Sequence, residues 1–260
     1  MGTVSCDAPG EKGRPDACRL SLESKRGVDV IICAWNREDT IERAIASALG
    51  EPEVRSVVVV DDGSTDGTAK AARAAEDGSS RLKVLQLPRN CGPAAARNRA
   101  LAAFEDPAPW VTIIDGDDFI LPGRFARMLH FAEGWDVVAD DLLQVRESDC
   151  GIHAGFLTSA TQFAPWKCDF KKFVLGNISR KGRERKELGF MKPLISRAFL
   201  DKHGLRYQEA LRLGEDYALY AQLLALRARF RIIPACGYVS VIRCNSLSSV
   251  HSRQDLEHMR

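Results

Sequence analysis

One pattern repeats between residues 28 and 115: a short continuous apolar run, then a longer amphipathic stretch. The runs are VDVIICA, VRSVVVVD, LKVLQL and WVTIID, and the stretches between them are EDTIERAIASAL, TDGTAKAARAAE and PAAARNRALAAF. Apolar runs this short suit strands buried on both faces, and the amphipathic stretches suit helices. Their alternation predicts an α/β fold of Rossmann-like type, with a mostly parallel central sheet flanked by helices. The pattern fails after GWDVVADDLLQV, and residues 144–190 read as an irregular segment. A second alternating portion follows: GFMKPLISRAFLDKHG, the helical GEDYALYAQLLALRA, and the strands RFRIIPA and YVSVIR. Residues 1–27 carry Gly, Pro, Ser and mixed charges without periodicity and read as a flexible leader.

Bulk properties narrow the partners. With 45% hydrophobic and 28% charged residues among 260, the composition is that of a soluble globular protein. A formal net charge of +2 supplies no field for a polyanion, so nucleic acid is not an expected partner. The eight cysteines form no CxxC pair and no Cys/His ligand spacing, which predicts reduced thiols in a cytoplasmic protein. No stretch reaches the ~18 apolar residues of a membrane span, and the N-terminus lacks a signal peptide's apolar core. Docking on a membrane surface stays open.

In parallel α/β sheets, ligands bind beyond the carboxyl ends of the strands, where loops and helix N-termini converge. Those ends are CAWNRED, VDDGSTDG, PRNCGPAAARN and DGDDF, and polar or acidic residues collect at all four. One Asp after a strand is an ordinary Asx turn. Asp115, Asp117 and Asp118, however, place three carboxylates within four residues, which repel unless a cation or protonation relieves them. Mg²⁺ and Mn²⁺ favour hard oxygen ligands, and Mg²⁺ commonly takes one or two carboxylates plus substrate phosphates. The spacing therefore suits a metal that bridges the protein to a diphosphate.

The other motifs read two ways. In VDDGSTDG, Thr65 or Asp66 caps the next helix, or a strand-end carboxylate accepts a hydrogen bond from a bound base. In NCGPAAARN, Pro93 initiates a helix whose free N–H groups and Arg97 suit phosphate or ribose, or Arg97 pairs with a neighbouring Asp. In LGEDYALYAQL, Glu215 and Asp216 complement a helix dipole, or Asp216 is a general base weakened by that position. FAPWKCDFKKF spaces Phe163, Trp166, Phe170 and Phe173 beside Lys167, Lys171 and Lys172, either as a core stripe or as a helix on an anionic membrane surface. The basic run SRKGRERKE reads as a solvated loop or a contact for phosphate or lipid.

Taken in order, VIICAWNRED, VVVVDDGSTDGT, NCGPAAARNRAL, IIDGDDFILPGRF and LGEDYALYAQL resemble the motifs of glycosyltransferase family 2, inverting nucleotide-sugar transferases of GT-A fold. Five ordered motifs are far more specific than any one alone. The resemblance covers about residues 28–245 and implies a single GT-A domain there, with a nucleotide-sugar-binding half (28–140), an acceptor-binding half of mixed α/β structure (141–245) and a tail at 246–260. It implies that Asp62 binds uracil and that Trp35, where the family often has Tyr, lies against the base. It places Asp115 at the ribose, Arg97 in the nucleotide-sugar site, Mg²⁺ or Mn²⁺ on Asp117, and Asp216 at the catalytic base position. Arg243 matches the family's late Arg. The implied chemistry is direct displacement of a nucleoside diphosphate by an acceptor hydroxyl, with inversion and no covalent enzyme intermediate.

Among family members the chain is similar to bacterial exopolysaccharide glucosyltransferases of succinoglycan type. That likeness implies a UDP-sugar donor, with glucose as the sugar, and a saccharide or lipid-linked saccharide acceptor. It also implies a place at the cytoplasmic membrane face, with peripheral contact near Trp166. Three other readings compete for these residues. TIIDGDD resembles the strand end of haloacid-dehalogenase-like phosphohydrolases, but Phe119 stands where those have Thr or Val, and three strand–helix units precede the motif. A dinucleotide oxidoreductase needs GxGxxG after the first strand, and CAWNRED has no glycine. A non-catalytic nucleotide-sugar-binding module would keep Asp62 and Asp117 and have no use for Asp216.

Overall fold

A computed structural model describes residues 27–146, 155–156, 164–178 and 186–242. The four apolar runs are strands β1 (Val28–Ala34), β2 (Val54–Asp61), β3 (Leu82–Gln86) and β4 (Trp110–Asp115). Helices α1 (Ile41–Leu49), α2 (Thr68–Ala74) and α3 (Pro93–Ala103) lie between them. The first two are shorter than the sequence pattern suggests, because the residues ahead of them tie one loop to the other. Asn36 N donates to Ser64 Oγ at 2.9 Å, Arg37 N to Thr68 Oγ1 at 2.7 Å, and Gly67 N to Glu38 Oε2 at 2.7 Å.

Alternate residues of the strands feed opposite faces, as the pleat requires. Ile31, Val58 and Val60 pack with Ala96, Ala100 and Leu101 of α3, while Val30, Ile32, Val57 and Val59 pack with Ile41, Ala44 and Ile45 of α1. Both faces are therefore covered, and the apolar runs need no polar alternation. Strand pairing is parallel and places Cys33 beside Asp115, Ala34 beside Asp61, and Asp61 beside Gln86. The carboxyl ends of the four strands are thus level.

The chain continues through β5 (Phe119–Ile120), α4 (Arg124–His130), β6 (Val137–Arg146), β7 (Gly155–Phe156), β8 (Trp166–Cys168) and α5 (Phe170–Gly176). A 3-10 turn (Leu188–Phe190) leads to β9 (Leu194–Ser196), α6 (Arg197–Lys202), α7 (Glu215–Ala225) and β10 (Phe230–Ile242). The ten strands of the described residues join one sheet in the order β3-β2-β1-β4-β9-β6-β10-β5, with β7 on β6 and β8 on β10. Strand β9 is antiparallel to both β4 and β6, whereas β6 and β10 are parallel. This half of the sheet is therefore mixed.

Two expectations differ from the structure in detail. FRIIPA and YVSVI (Phe230–Ile242) belong to a single strand, β10, whose pairing with β6 shifts register on either side of Cys236. Pro234 cannot donate to a ladder, and a bulge absorbs it without ending the strand. The aromatic stripe is not one helix: Trp166 lies on β8, paired with β10, and Asp169 then caps α5 by accepting from Lys172 N at 2.8 Å. Phe173 is fully buried against Tyr217, with ring centroids 5.0 Å apart, while Phe170 faces solvent. Phe163 and most of the basic run lie outside the described residues.

Candidate active site

Each strand end delivers one part of the site. After β2, Asp62 is buried and its carboxylate accepts from Cys91 N at 2.7 Å and Gly92 N at 2.8 Å, which joins this loop to the start of α3. Burial pushes its carboxyl up, and the two amides oppose that rise. Gly63 follows with φ +70° and lies against the backbone of Arg89, where an added Cβ would come within 2.3 Å. No L side chain fits there. Trp35, after β1, leaves 41% of its surface exposed.

The DGDD turn after β4 sorts its carboxylates by direction. Gly116 donates to Cys33 O at 3.2 Å, and a Cβ on it would lie 2.9 Å from Ala34 Cβ, so the turn sits tightly on the end of β1. Asp118 points inward, accepting from Tyr238 Oη at 2.7 Å and Val241 N at 2.8 Å on β10. Burial first, then the nearby Asp115 and Asp117, push its carboxyl up to about 8. Asp117 sits at the rim, with Arg37 Nε 3.1 Å from Oδ2 and Arg43 Nη2 2.8 Å from its carbonyl. Asp115 faces Lys192 Nζ at 2.9 Å and Arg97 Nη2 at 3.1 Å. Burial works against its charge, but these two cations prevail and hold its carboxyl at about 2.

Behind Asp115 the network closes onto the first turn of α7. Arg97 on α3 is 4% exposed and bonds Glu215 through Nη1. Lys192, just ahead of β9, is 6% exposed and donates to Asp216 Oδ2 at 2.7 Å. Asp216 Oδ1 lies 3.1 Å from Arg97 Nη1, close enough for ionic attraction but not aligned as a hydrogen bond, so this buried oxygen has no hydrogen-bond donor. Three carboxylates, those of Asp115, Glu215 and Asp216, thus face two cations. Paired acids beside fixed cations, one with an uncommitted oxygen, can accept a proton from a neutral hydroxyl.

The structure brings Arg97, Asp115 and Asp216 into one network and sets Asp117, Asp62 and Trp35 at neighbouring strand ends. Arg243 lies outside the described residues. Sequence reasoning missed Lys192, the pairing of Glu215 with Arg97, and the hold of Tyr238 on Asp118. One signal was present: Lys192 interrupts the apolar FMKPLI, and a lysine in such a run is seldom buried without a carboxylate partner. No group of three or more His, Cys, Asp or Glu among the described residues is placed to hold a metal unaided. The donors still fit a divalent cation: Asp117 offers a hard oxygen at the rim, the network behind it carries an excess carboxylate, and substrate oxygens complete such a shell.

A sheet of this order, with level parallel ends that meet a mixed half, is the architecture of the GT-A fold. The chain belongs to glycosyl transferase family 2, whose sequence pattern it matches over residues 29–153. It is 51% identical to the succinoglycan biosynthesis protein ExoU of Rhizobium meliloti (strain 1021), over 92% of this chain and 69% of that protein. It is 37% identical to ExoO of the same organism, over 88% of this chain and 65% of that protein. The fold matches S. aureus TarS, solved in complex with UDP-GlcNAc, with a TM-score of 0.69 at 22% identity, over 90% of this chain and 64% of that one. At that identity the likeness speaks for the fold alone. No helix among the described residues is long and apolar enough to cross a membrane.

Proposed function

We propose that this chain is an inverting hexosyltransferase that moves a sugar, glucose in the first instance, from a UDP-sugar to a hydroxyl of a saccharide acceptor. The observation that carries the reading is Asp216 Oδ1, a buried carboxylate oxygen without a hydrogen-bond donor at the edge of a charged network. In the reaction Asp216 takes the proton of the acceptor hydroxyl. The hydroxyl oxygen bonds to the anomeric carbon from the side opposite the diphosphate, and the bond to UDP breaks. Configuration inverts, and no enzyme-bound sugar forms.

Trp35 offers the uracil a stacking face. The Asp62 oxygens already hold two amides, yet a carboxylate has about four lone-pair sites, enough to accept the uracil N–H as well. Asp115 accepts from the ribose, and Arg97 fixes Asp115 relative to Glu215 and Asp216. Asp117 would hold Mg²⁺ or Mn²⁺, which when bound neutralises charge on the departing diphosphate. The names of the two R. meliloti relatives support an acceptor in exopolysaccharide assembly, here a lipid-linked oligosaccharide. Exposed Phe170, Lys167, Lys171 and Lys172 support peripheral contact with the inner membrane face.

The test is thermal-shift screening of nucleotide sugars with and without Mn²⁺. A UDP-sugar should raise the unfolding temperature, and Mn²⁺ should enlarge the rise. Absence of metal-dependent stabilisation by every nucleotide sugar would refute the reading. For the membrane contact, charge reversal at Lys167, Lys171 and Lys172 should release the protein from anionic liposomes.

A further inference from the structure

We infer that Lys192 is the positioning residue of the transfer site, its ammonium clamping Asp115 and Asp216 together through Oδ2 of each so that Asp216 Oδ1 is left without a hydrogen-bond donor. The inference rests on the reading of Asp216 as base. One Nζ lies 2.9 Å from Asp115 Oδ2 and 2.7 Å from Asp216 Oδ2. The ammonium has three N–H donors and no acceptor, so it holds both carboxylates at once. Without it the half-buried carboxylate of Asp115 and the buried one of Asp216 would repel, with Arg97 as the cation they share.

The position of the ammonium is fixed by the fold before any substrate arrives. The Lys192 carbonyl accepts from Arg124 Nη2 at 2.6 Å and Thr112 Oγ1 at 3.4 Å. Arg124 is itself held by Asp140 through contacts of 2.7, 3.0 and 3.2 Å. Beside it the Met191 carbonyl accepts from Tyr220 Oη at 2.9 Å, on the same helix as Asp216, and Pro193 restricts the backbone on the other side. Lys192 thus joins the strand end that carries Asp115 to the helix start that carries Asp216. By taking Oδ2 of each, it leaves Asp115 Oδ1 to Arg97 and Asp216 Oδ1 without a hydrogen-bond donor.

The experiment measures UDP release from UDP-glucose, UDP-galactose and UDP-N-acetylglucosamine with octyl β-glucoside as acceptor, alongside UDP affinity by calorimetry with Mn²⁺. Lys192→Met and Lys192→Gln should lower kcat by about 10²-fold, the loss expected of a reacting group misplaced by about 1 Å, with a smaller change in KM for the donor. Lys192→Gln keeps a hydrogen-bond donor and carries the comparison if the Met variant fails to fold. In Lys192→Ala, added ethylammonium should restore kcat by about tenfold or more, which a merely structural lysine would not show. It should restore nothing when Asp216→Asn is added. Wild-type turnover with an unaffected Lys192→Gln, or a loss in Lys192→Ala that the amine leaves unchanged, overturns the role of Lys192 alone. A wild-type protein that releases no UDP from any of the three donors overturns the base assignment and this role with it.

Discussion

Arg97 and Arg124 are both buried, 4% and 0% exposed, yet their surroundings oppose each other. Arg124 meets one carboxylate, Asp140, and one carbonyl, Lys192 O, between the rings of Tyr238 at 5.3 Å and Phe125 at 5.6 Å. Arg97 meets three carboxylates and, among the described residues, shares them with Lys192. The first cluster is balanced in charge and sealed within the fold. The second carries excess negative charge and ends at the level strand termini. Burial alone therefore does not single out a candidate site; imbalance at an open edge does, because it leaves a demand for a proton or a cation.

The sharpest way to break the comparison is Asp216→Asn. Turnover should fall by about 10³-fold, within the range for a lost general base, while UDP binding survives. A variant with wild-type turnover would reduce the Arg97 cluster to a second structural lock. Asp117→Ala comes next: it should lower turnover on the order of 10²-fold and remove the extra stabilisation that Mn²⁺ gives a UDP-sugar. A ranking with Asp118→Asn above Asp117→Ala in severity would reverse the inward and outward assignments of the turn.

Arg124→Met tests the sealed cluster. Leaving Asp140 buried without its cation should cost about 3–5 kcal/mol of stability, read by denaturant unfolding. Turnover per folded molecule should fall far less than in Asp216→Asn. The smallest effect should come from Asp118→Asn, which keeps the shape of the side chain and removes its titration. With the Asp118 carboxyl up to about 8, its stabilising contribution is complete below the usual carboxylate range and is lost as pH rises through about 8. Asp29, raised to about 6 by burial, adds to the same decline at lower pH. The unfolding temperature of the wild type should fall from mildly acidic to mildly alkaline pH, and Asp118→Asn should flatten that slope.

The strands of the first half could be read from the chain because they are continuous apolar runs buried on both faces, which local pattern reports directly. VDVIICA and WVTIID match β1 and β4 residue for residue. Helix starts were less legible, since Glu38 and Asp66 carry helix-like spacing but spend their side chains across two loops. The mixed half was harder still: β9 has three residues, and its place between β4 and β6 follows from packing rather than from any local signal. The site was legible as residue types at strand ends and as a resemblance carried by five motifs. Its wiring was not.

By itself the sequence determined which residues could form buried strands and which carboxylates would gather at their ends, because run length and turn chemistry are local properties. Tertiary structure decided which carboxylate meets which cation. Asp117 and Asp118 are neighbours in the chain, yet one faces Arg37 at the rim and the other Tyr238 in the interior. Lys192 owes its role to Asp115 and Asp216, brought to its ammonium by two different elements. The energy of a charge pair depends on distance and on exclusion of water, and both are set only when distant segments pack.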